Sequence, residues 1–234
     1  MLITLEGHCL FDDALCAKSV VVDLGANKGR FAHAIVGRFG CRCVAVEPVP
    51  ELCAMIAPRP GLTVVNAAIA NFDGTIDLNV SSHPEASTIK RAPAAGQLLR
   101  TSRVPAVRLD HLIAAHGIDR IDVLKVDIEG SEVEVFQSLD DSLLKRIGQI
   151  NCEFHDSFGM VSSQDVDKTE HRLQALGFGR IQFFPQNRQD MLYVNRRQGG
   201  VSHVGFLWGK YFTRNYMGWK RLRQRLRRRT AAQA

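Results

Sequence analysis

The chain has 234 residues, 45% hydrophobic and 23% charged, which is long enough for one α/β domain with a sizeable core and too short for two full domains. Residues 1 to 18 lack the basic head and apolar run of a secretory signal, and no apolar stretch reaches the length of a membrane-spanning helix. We therefore expect one domain, kept in the cytoplasm.

The net charge of +6 is unevenly distributed along the chain. From residue 191 onward there are eleven Lys and Arg and no Asp or Glu, so residues 1 to 190 hold 19 basic and 24 acidic side chains. An acidic body with a basic tail is typical of an arm that meets an anionic surface, either a membrane or a nucleic acid.

The six cysteines contain no Cys-x-x-Cys pair, and Cys43 and Cys152 lie within apolar, strand-like runs. We interpret them as small reduced residues rather than metal ligands or nucleophiles, which fits a reducing compartment.

Residues 20 to 29 predict a buried strand, a tight loop and the start of a helix. An apolar run ends at Asp23, and Gly25 and Gly29 follow before an amphipathic segment. In an open α/β sheet this loop borders the crevice where nucleotide-like ligands bind. A second short strand begins at residue 41 and is stopped by Pro48. Its last residue is Glu47, whose carboxylate can accept hydrogen bonds from both hydroxyls of a ribose.

The middle of the chain changes character after a third strand at residues 62 to 66. Asp73-Gly74 lies between the strand-like residues 68 to 72 and 75 to 80, which predicts a β-hairpin. Residues 81 to 101 are rich in Ser, Pro, Ala and Gly, and predict a long loop that is either a lid or a disordered insertion.

Two further apolar strands end beside acidic residues. Residues 121 to 127 end in Asp127, and residues 147 to 154 contain Glu153. Residues 180 to 184 and 191 to 195 predict a closing antiparallel pair. Strands and helices alternate, so we expect a largely parallel sheet covered on both faces.

The glycine loop alone fits dinucleotide, flavin and S-adenosylmethionine binders. It lacks the Gly-x-Gly-x-x-Gly pattern that approaches a pyrophosphate, and Asp23 precedes it. A carboxylate repels a pyrophosphate but attracts a ligand that carries a sulfonium and an ammonium group. The loop therefore favours S-adenosylmethionine.

Five motifs resemble a known family. They are Val-Asp-Leu-Gly-Ala-Asn-x-Gly at 22 to 29, Val-Glu-Pro at 46 to 48, Asn-Ala-Ala-Ile at 66 to 69 before the Asp-Gly pair, Leu-Asp-x-Leu at 109 to 112, and Lys-Val-Asp-Ile-Glu-Gly-Ser-Glu at 125 to 132 followed by Cys-Glu at 152 and 153. In this order, from about residue 20 to 195, the chain resembles the FkbM-type S-adenosylmethionine-dependent methyltransferases.

The resemblance implies an α/β, Rossmann-like class I methyltransferase fold, with a seven-stranded, mostly parallel sheet and a terminal antiparallel hairpin. We expect this domain to span residues 1 to 198, with 1 to 19 as a lead-in, and residues 199 to 234 to form a basic helical tail outside the family pattern. The implied activity is O-methylation of a hydroxyl on a sugar, glycan or glycolipid, with S-adenosylmethionine as the cofactor.

The resemblance also implies roles by position. The residues expected around the methionyl part of the cofactor are Asp23, Gly25, Ala26, Asn27 and Gly29. Glu47 is expected at the ribose, and Asn66 and Ala67 at the adenine. Asp127 and Glu129 are expected to face both the methionyl amine and the acceptor.

A sugar hydroxyl needs a proton acceptor nearby during methyl transfer. The candidates are Asp127, Glu129, Glu132, Glu153 and His155. Two have alternative interpretations: Glu132 is an acid favoured by the dipole in the first turn of its helix, and His155 is an exposed loop residue. Glu153, buried in an apolar strand, is costly unless paired, which favours a partner in the site. No His, Asp and Glu cluster has metal-ligand spacing, so we predict a metal-independent enzyme.

Residues 208 to 229 place large apolar residues three or four apart among Lys and Arg. This pattern is typical of a helix in the interface of an anionic membrane, and the alternative is a helix packed on the body with a solvated, Arg-rich end. Membrane binding would suit a lipid-linked glycan or glycolipid acceptor.

Three other functions compete with the glycan methyltransferase. An RNA methyltransferase would use the tail for phosphate contacts, but the Asn/Asp-Pro-Pro-aromatic motif for base amines is absent. A non-catalytic scaffold is disfavoured because Asp23, the glycines and Glu47 are intact. A nicotinamide oxidoreductase is the third.

Overall fold

The structure is a computed structural model that describes residues 1 to 81, 98 to 184 and 186 to 213. Most of the loop predicted at 81 to 101, and the tail from residue 214 onward, lie outside the described residues.

Among those residues, twelve strands and seven α-helices follow one another. The strands are β1 (Leu2–Leu5), β2 (His8–Phe11), β3 (Val20–Leu24), β4 (Arg42–Val46), β5 (Leu62–Val65), β6 (Ala68–Ala70), β7 (Gly74–Ser81), β8 (Leu98–Arg108), β9 (Ile121–Val126), β10 (Ile147–Cys152), β11 (Phe178–Gln182) and β12 (Met191–Asn195). The helices are α1 (Arg30–Phe39), α2 (Pro50–Met55), α3 (Leu109–Ala115), α4 (Glu132–Ser138), α5 (Asp141–Lys145), α6 (Ser163–Ala175) and α7 (His203–Trp208).

The main sheet has seven strands in the order β11-β12-β10-β9-β3-β4-β5. Strands β10, β9, β3, β4 and β5 are parallel, whereas β12 is antiparallel to β10 and to β11. The predicted α/β sheet, mostly parallel with a terminal antiparallel pair, is confirmed. The ends of the parallel strands meet at one edge, and the loops after β3, β4, β9 and β10 build the site there.

Both faces of this sheet are covered, as parallel sheets require. Helices α3, α4, α5 and α6 pack on one face, where residues such as Leu112, Phe136 and Leu173 meet Leu124 of β9. On the other face, α1 contributes Ile35 against Val123. Cys43 and Cys152 are buried within strands β4 and β10, and all six cysteines are free.

The hairpin predicted at Asp73-Gly74 is wrong. Strands β6 and β7 exist, but β8 lies between them, parallel to β6 and antiparallel to β7. The Asp73 carboxylate turns toward the far end of β8, where it accepts from the Arg108 backbone N–H at 2.9 Å. The eleven-residue β8 pairs with both β6 and β7. This partner is distant in the sequence, so the local Asp-Gly pattern does not predict it.

The first residues, which were expected to be a lead-in, form a β-hairpin of β1 and β2. Two amides on β10 hold it. Gln149 exchanges two hydrogen bonds of 2.8 Å with the backbone of Phe11, and Asn151 Nδ2 donates to the Cys9 carbonyl at 3.2 Å. These amides lie two residues apart on one face of the strand, so the hairpin is fixed over β10.

The first residues after β12 pack on the rest of the domain. Val201 and Phe206 are buried in the same cluster as Phe11. After α7, residues 209 to 213 form a π-helical turn on which Tyr211 and Phe212 are exposed. Within the described ranges, no helix is long and apolar enough to cross a membrane.

Candidate active site

The loop between β3 and α1 packs against the end of β9 so closely that only glycine fits. Gly25 has φ +78°, and a Cβ there would lie 1.7 Å from the Asp127 carbonyl oxygen. Gly29, which precedes α1, has φ +72°, and its Cβ would lie 2.7 Å from Ile56. Both positions need the left-handed backbone that glycine adopts without strain.

Glu47 follows β4 and its carboxylate is held by backbone amides. Oε2 accepts from the Asn27 N–H at 2.7 Å and Oε1 from the Val49 N–H at 2.9 Å. Burial raises the pKa of Glu47, and these two amide hydrogen bonds partly offset the effect. Each oxygen keeps a lone pair for a ligand hydroxyl.

Asn66 and Ala67 follow β5 but have different roles. Asn66 Nδ2 donates to the carbonyls of Glu47 and Pro48, at 2.8 and 3.1 Å, and so shapes the turn that carries Glu47. Asn66 is not among the residues that line the cavity, whereas Ala67 is. The amide of Asn66 is thus directed at the backbone, and its expected contact with the adenine stays a prediction.

Asp23 lies behind the loop and lines neither of the two cavities that open at this edge of the sheet, so its expected contact with the cofactor stays a prediction. It is fully buried, and its Oδ1 lies 3.0 Å from Lys125 Nζ, which also donates to the Gly25 carbonyl at 2.9 Å. Burial alone would lower the pKa of Lys125, but the charges of Asp23 and Asp127 outweigh it and raise that pKa. Asp23 therefore supports the loop through Lys125.

A cavity of about 330 Å³ opens between these loops, within the size range of small-molecule sites. Its polar lining includes Glu6, His8, Asn27, Glu47, Asp127, Glu129, Ser131 and Glu153, and Gly25 and Ala67 also border it. A second cavity of about 590 Å³ shares six of its residues and extends toward Ala26, Lys28 and Arg30. Gly29 lines neither cavity, and its role is the backbone geometry of the loop.

Three carboxylates occupy the edge of the cavity formed by β9 and β10. Asp127 and Glu129 belong to the turn after β9, and Glu129 has the strained φ of +53°. Glu153 follows β10, and burial together with the charge of Asp127 raises its pKa to about 8. The structure thus brings together three of the five predicted candidates for the proton acceptor.

The other two candidates, Glu132 and His155, pair with each other outside the cavity. His155 Nδ1 lies 2.8 Å from Glu132 Oε1 and its Nε2 lies 3.3 Å from Glu129 Oε2. Burial alone would lower the pKa of His155, but these two carboxylates outweigh it and raise the pKa to about 11. The raised pKa disfavours His155 as a proton acceptor and Glu132 is fully buried, so the geometry favours the three carboxylates of the cavity over these two.

His155 is also buried rather than the exposed loop residue of the alternative interpretation. Its side chain is 8% exposed. The alternative was wrong because the His155 side chain turns inward to Glu129, in the turn after β9, and to Glu132, at the start of α4.

His8 is a site residue that the sequence analysis missed. It lies on β2, is buried, and lines both cavities. Two signals in the sequence point to it. Residues 2 to 5 and 8 to 11 are strand-like runs on either side of Glu6-Gly7, which indicates a hairpin. The otherwise apolar residues 147 to 152 contain two amide side chains, Gln149 and Asn151. Amides in a buried strand need partners, and β2 supplies them.

The chain matches the FkbM methyltransferase domain over residues 23 to 179, which is more than half of its length. The chain belongs to the FkbM methyltransferase domain family. The cofactor of this FkbM domain is S-adenosylmethionine, and the methyltransferase class and recognised family predicted from the motifs are confirmed.

Two curated proteins are similar to parts of this FkbM chain. One is the 31-O-demethyl-FK506 methyltransferase FkbM of Streptomyces tacrolimicus, 38% identical over 60% of this chain and 66% of its own. The other is the AMB antimetabolite synthetase AmbE of Pseudomonas aeruginosa, 37% identical over 30% of this chain and 3% of its own. The chain spans less than two thirds of the length of either relative.

Among solved structures, fibrillarin of Aeropyrum pernix with bound S-adenosyl-L-methionine is 12% identical, with a TM-score of 0.42 over 76% of this chain and 66% of that one. The fold assignment rests on the strand order of the main sheet.

The residues of the FkbM domain fit S-adenosylmethionine. The backbone at Gly25 packs against Asp127 without an intervening side chain. The cavity beside the loop therefore stays open. Glu47 would hold the ribose hydroxyls, and Asn27 and Asp127 would border the methionyl part. The carboxylates of the lining suit a ligand with a net positive charge.

The fold also brings possible cation-binding atoms together, although the sequence shows no such spacing. Within the described residues, His8, Asp127 and Glu153 form one group of atoms within 4.8 Å of one another, and Asp127, Glu129 and His155 form a second. Metal independence stays a prediction, which exhaustive chelation followed by an activity assay would test.

Proposed function

We propose that this protein is an O-methyltransferase that acts on a hydroxyl of a sugar, glycan or glycolipid. The observation that carries the proposal is the lining of the cavity of about 330 Å³, which contains five carboxylates. Among the described residues, the basic Lys28, Arg30 and Lys125 line only the adjoining cavity of about 590 Å³. Carboxylates accept hydrogen bonds from hydroxyls and repel phosphates. The similar Streptomyces protein is named for methylation at an oxygen, which supports the same reaction class.

When bound, S-adenosylmethionine supplies a methyl group already activated by its sulfonium. The residues of this chain have two tasks, which are to position the acceptor oxygen and to exclude water. Asp127, Glu129 and Glu153 would hold the acceptor hydroxyls at the edge of the sheet, while Glu47 would fix the ribose. Such alignment contributes on the order of 7 to 11 kcal/mol in favourable cases.

RNA methylation is the second candidate and the lining argues against it. A phosphate backbone entering the cavity of about 330 Å³ would meet Glu6, Glu129 and Glu153, since Lys28 and Arg30 line only the adjoining cavity. A non-catalytic scaffold is disfavoured because Glu47 and the Gly25 loop keep the geometry that the cofactor needs.

The test is transfer of labelled methyl from S-adenosylmethionine into fractionated glycans, lipids and RNA. We expect alkali-stable label in the glycan or lipid fraction. Label in RNA would favour the second candidate, and cofactor binding without transfer into any fraction would favour the scaffold.

Glu47→Gln tests the cofactor assignment within the same proposal. Loss of a charged hydrogen-bond acceptor costs about 1.5 to 3 kcal/mol, so calorimetry should show roughly 10- to 100-fold weaker binding of S-adenosylmethionine. Glu51→Gln is the matched control because Glu51 lies on the exposed surface of α2, outside both cavities. Equal effects of the two substitutions would remove Glu47 from the cofactor site.

We also propose that residues 204 to 212 contact an anionic membrane. Five large apolar residues are exposed there: Val204, Leu207, Trp208, Tyr211 and Phe212. The rings of Trp208 and Phe212 stack with centroids 4.5 Å apart, and Lys210 lies beside Tyr211. Residues 214 to 234, outside the described part, contain eight Lys and Arg and no acid, which complements anionic lipid.

A flotation assay with anionic and neutral vesicles tests the membrane contact. The double variant Trp208→Ser, Phe212→Ser should lose flotation with anionic vesicles. Phe72→Ser, which alters an exposed apolar residue elsewhere, should retain it. Equal flotation of the double variant and the wild type would refute the proposal. It would also be refuted if the protein bound RNA but did not float with either kind of vesicle.

A further inference from the structure

His8 lies where the two cavities meet. It is 9% exposed and contributes to both linings, together with Glu6, Gly25 and Asp127. Its Nδ1 is 3.7 Å from Glu153 Oε1, at the same edge of the sheet as the carboxylates that would hold the acceptor. A group at this junction adjoins both the cofactor loop and the acceptor side.

The hydrogen bonds of Asn151 fix which nitrogen of His8 carries a proton. Asn151 Nδ2 donates to the Cys9 carbonyl at 3.2 Å and to Asp190 Oδ1 at 3.1 Å. If the oxygen and nitrogen of the Asn151 amide were exchanged, the amide oxygen would face two acceptors and could form no hydrogen bond with either of them. Asn151 Oδ1 therefore faces His8 Nδ1, at 3.0 Å, and an amide oxygen only accepts.

It follows that His8 Nδ1 carries the hydrogen in the neutral ring, and Nε2 keeps its lone pair as a proton acceptor. Asp190 and Asn151 are both buried. Asp190 holds the amide of Asn151, and Asn151 in turn holds the His8 ring. An imidazole oriented through its Nδ1–H is the arrangement of a general base in many enzymes.

The surroundings also favour the neutral form of this ring. Burial and the nearby Lys125 ammonium lower the pKa of His8, and the charges of Asp127 and Asp23 oppose that effect without cancelling it. Burial and the charge of Asp127 raise the pKa of the neighbouring Glu153 to about 8. The raised pKa disfavours the proton-accepting form of Glu153, whereas the lowered pKa of His8 favours the proton-accepting form of the ring.

We propose that His8 is the general base of methyl transfer, with Asn151 and Asp190 as positioning residues. The proposal rests on the O-methyltransferase function proposed above. The proton of the acceptor hydroxyl moves to His8 Nε2. The oxygen's electron pair forms the new C–O bond as the S–C bond breaks and its pair stays on sulfur. The imidazolium then releases the proton to solvent.

The test compares His8→Gln with the wild type. Glutamine can still donate to Asn151 Oδ1 but cannot take the proton. We expect turnover to fall by about 10²- to 10⁴-fold. Binding of S-adenosylmethionine, measured by calorimetry, should stay within about threefold because His8 is not needed to hold the ribose. His171→Gln, on the exposed side of α6, is the matched control.

The pH profile gives a second measurement. The wild-type rate should fall on the acid side with a midpoint below pH 6.5, where His8 takes up a proton, and the residual rate of His8→Gln should lack that limb. Nitrogen-15 NMR of the imidazole, which needs no turnover, should show the Nδ1–H tautomer at pH 7.

Wild-type turnover in a His8→Gln variant that binds the cofactor would overturn the role of His8 while leaving the proposed function intact. An Nε2–H tautomer, or a charged ring at pH 7, would overturn it as well. If the wild type transfers no methyl to any hydroxyl, the proposed function itself fails, and the role of His8 fails with it.

Discussion

The amino-terminal hairpin and the loop after β10 each place a buried histidine near Asp127, and the pKa values of the two rings are shifted in opposite directions. His8 is held by an amide and has a lowered pKa, whereas His155 is held by Glu129 and Glu132 and has a pKa raised to about 11. Burial favours the neutral ring in both, so the partner decides the charge. One region therefore suits proton transfer and the other holds the site together.

His155→Gln is expected to have the largest effect on stability. The substitution leaves Glu129 and the fully buried Glu132 without their cation, and breaking a buried pair from one side costs about 3 to 5 kcal/mol. Urea unfolding measures this loss. His171→Gln serves as the exposed control and should change the unfolding free energy by less than about 0.5 kcal/mol. A loss for His155→Gln below about 1 kcal/mol would contradict the comparison.

Gln149→Met is expected to loosen the hairpin side of the site. The buried backbone N–H and C=O of Phe11 lose their partners, which costs about 2 kcal/mol. Turnover should fall as well, because His8 is displaced with β2. Arg30→Ala, which breaks the exposed ion pair to Glu6 in the same hairpin, should cost less than about 1 kcal/mol. If Arg30→Ala proves the more harmful substitution, the amides do not hold the hairpin.

The pH dependence of stability should have opposite signs for the two histidines. The raised pKa of His155 gives stability that is fully present below pH 6.5 and is lost as the pH rises toward about 11. The lowered pKa of His8 instead reduces stability as the pH falls below 6.5. Each slope is at most about 1.4 kcal/mol per pH unit. Unfolding curves of His155→Gln and His8→Gln should each lack one of these slopes.

The sequence was sufficient for the parts of the site that local patterns encode. Apolar runs that end in acids predict the parallel strands, and the tight loop at Gly25 follows from its glycine spacing. Glu47, Asp127 and Glu129 reach the cavity because the ends of parallel strands share one edge. These features depend on residues close together in the chain.

What only the tertiary structure decided is the partner of each polar group. Strand β8 intervenes between β6 and β7, Lys125 neutralises Asp23, and Asn151 orients His8 across 143 residues of chain. Protonation depends on these distant contacts, because a charge is stable in the interior only beside the group that compensates it. The sequence by itself thus determined the family, the sheet and the cofactor loop, whereas the fold decided which histidine has a lowered pKa and which a raised one.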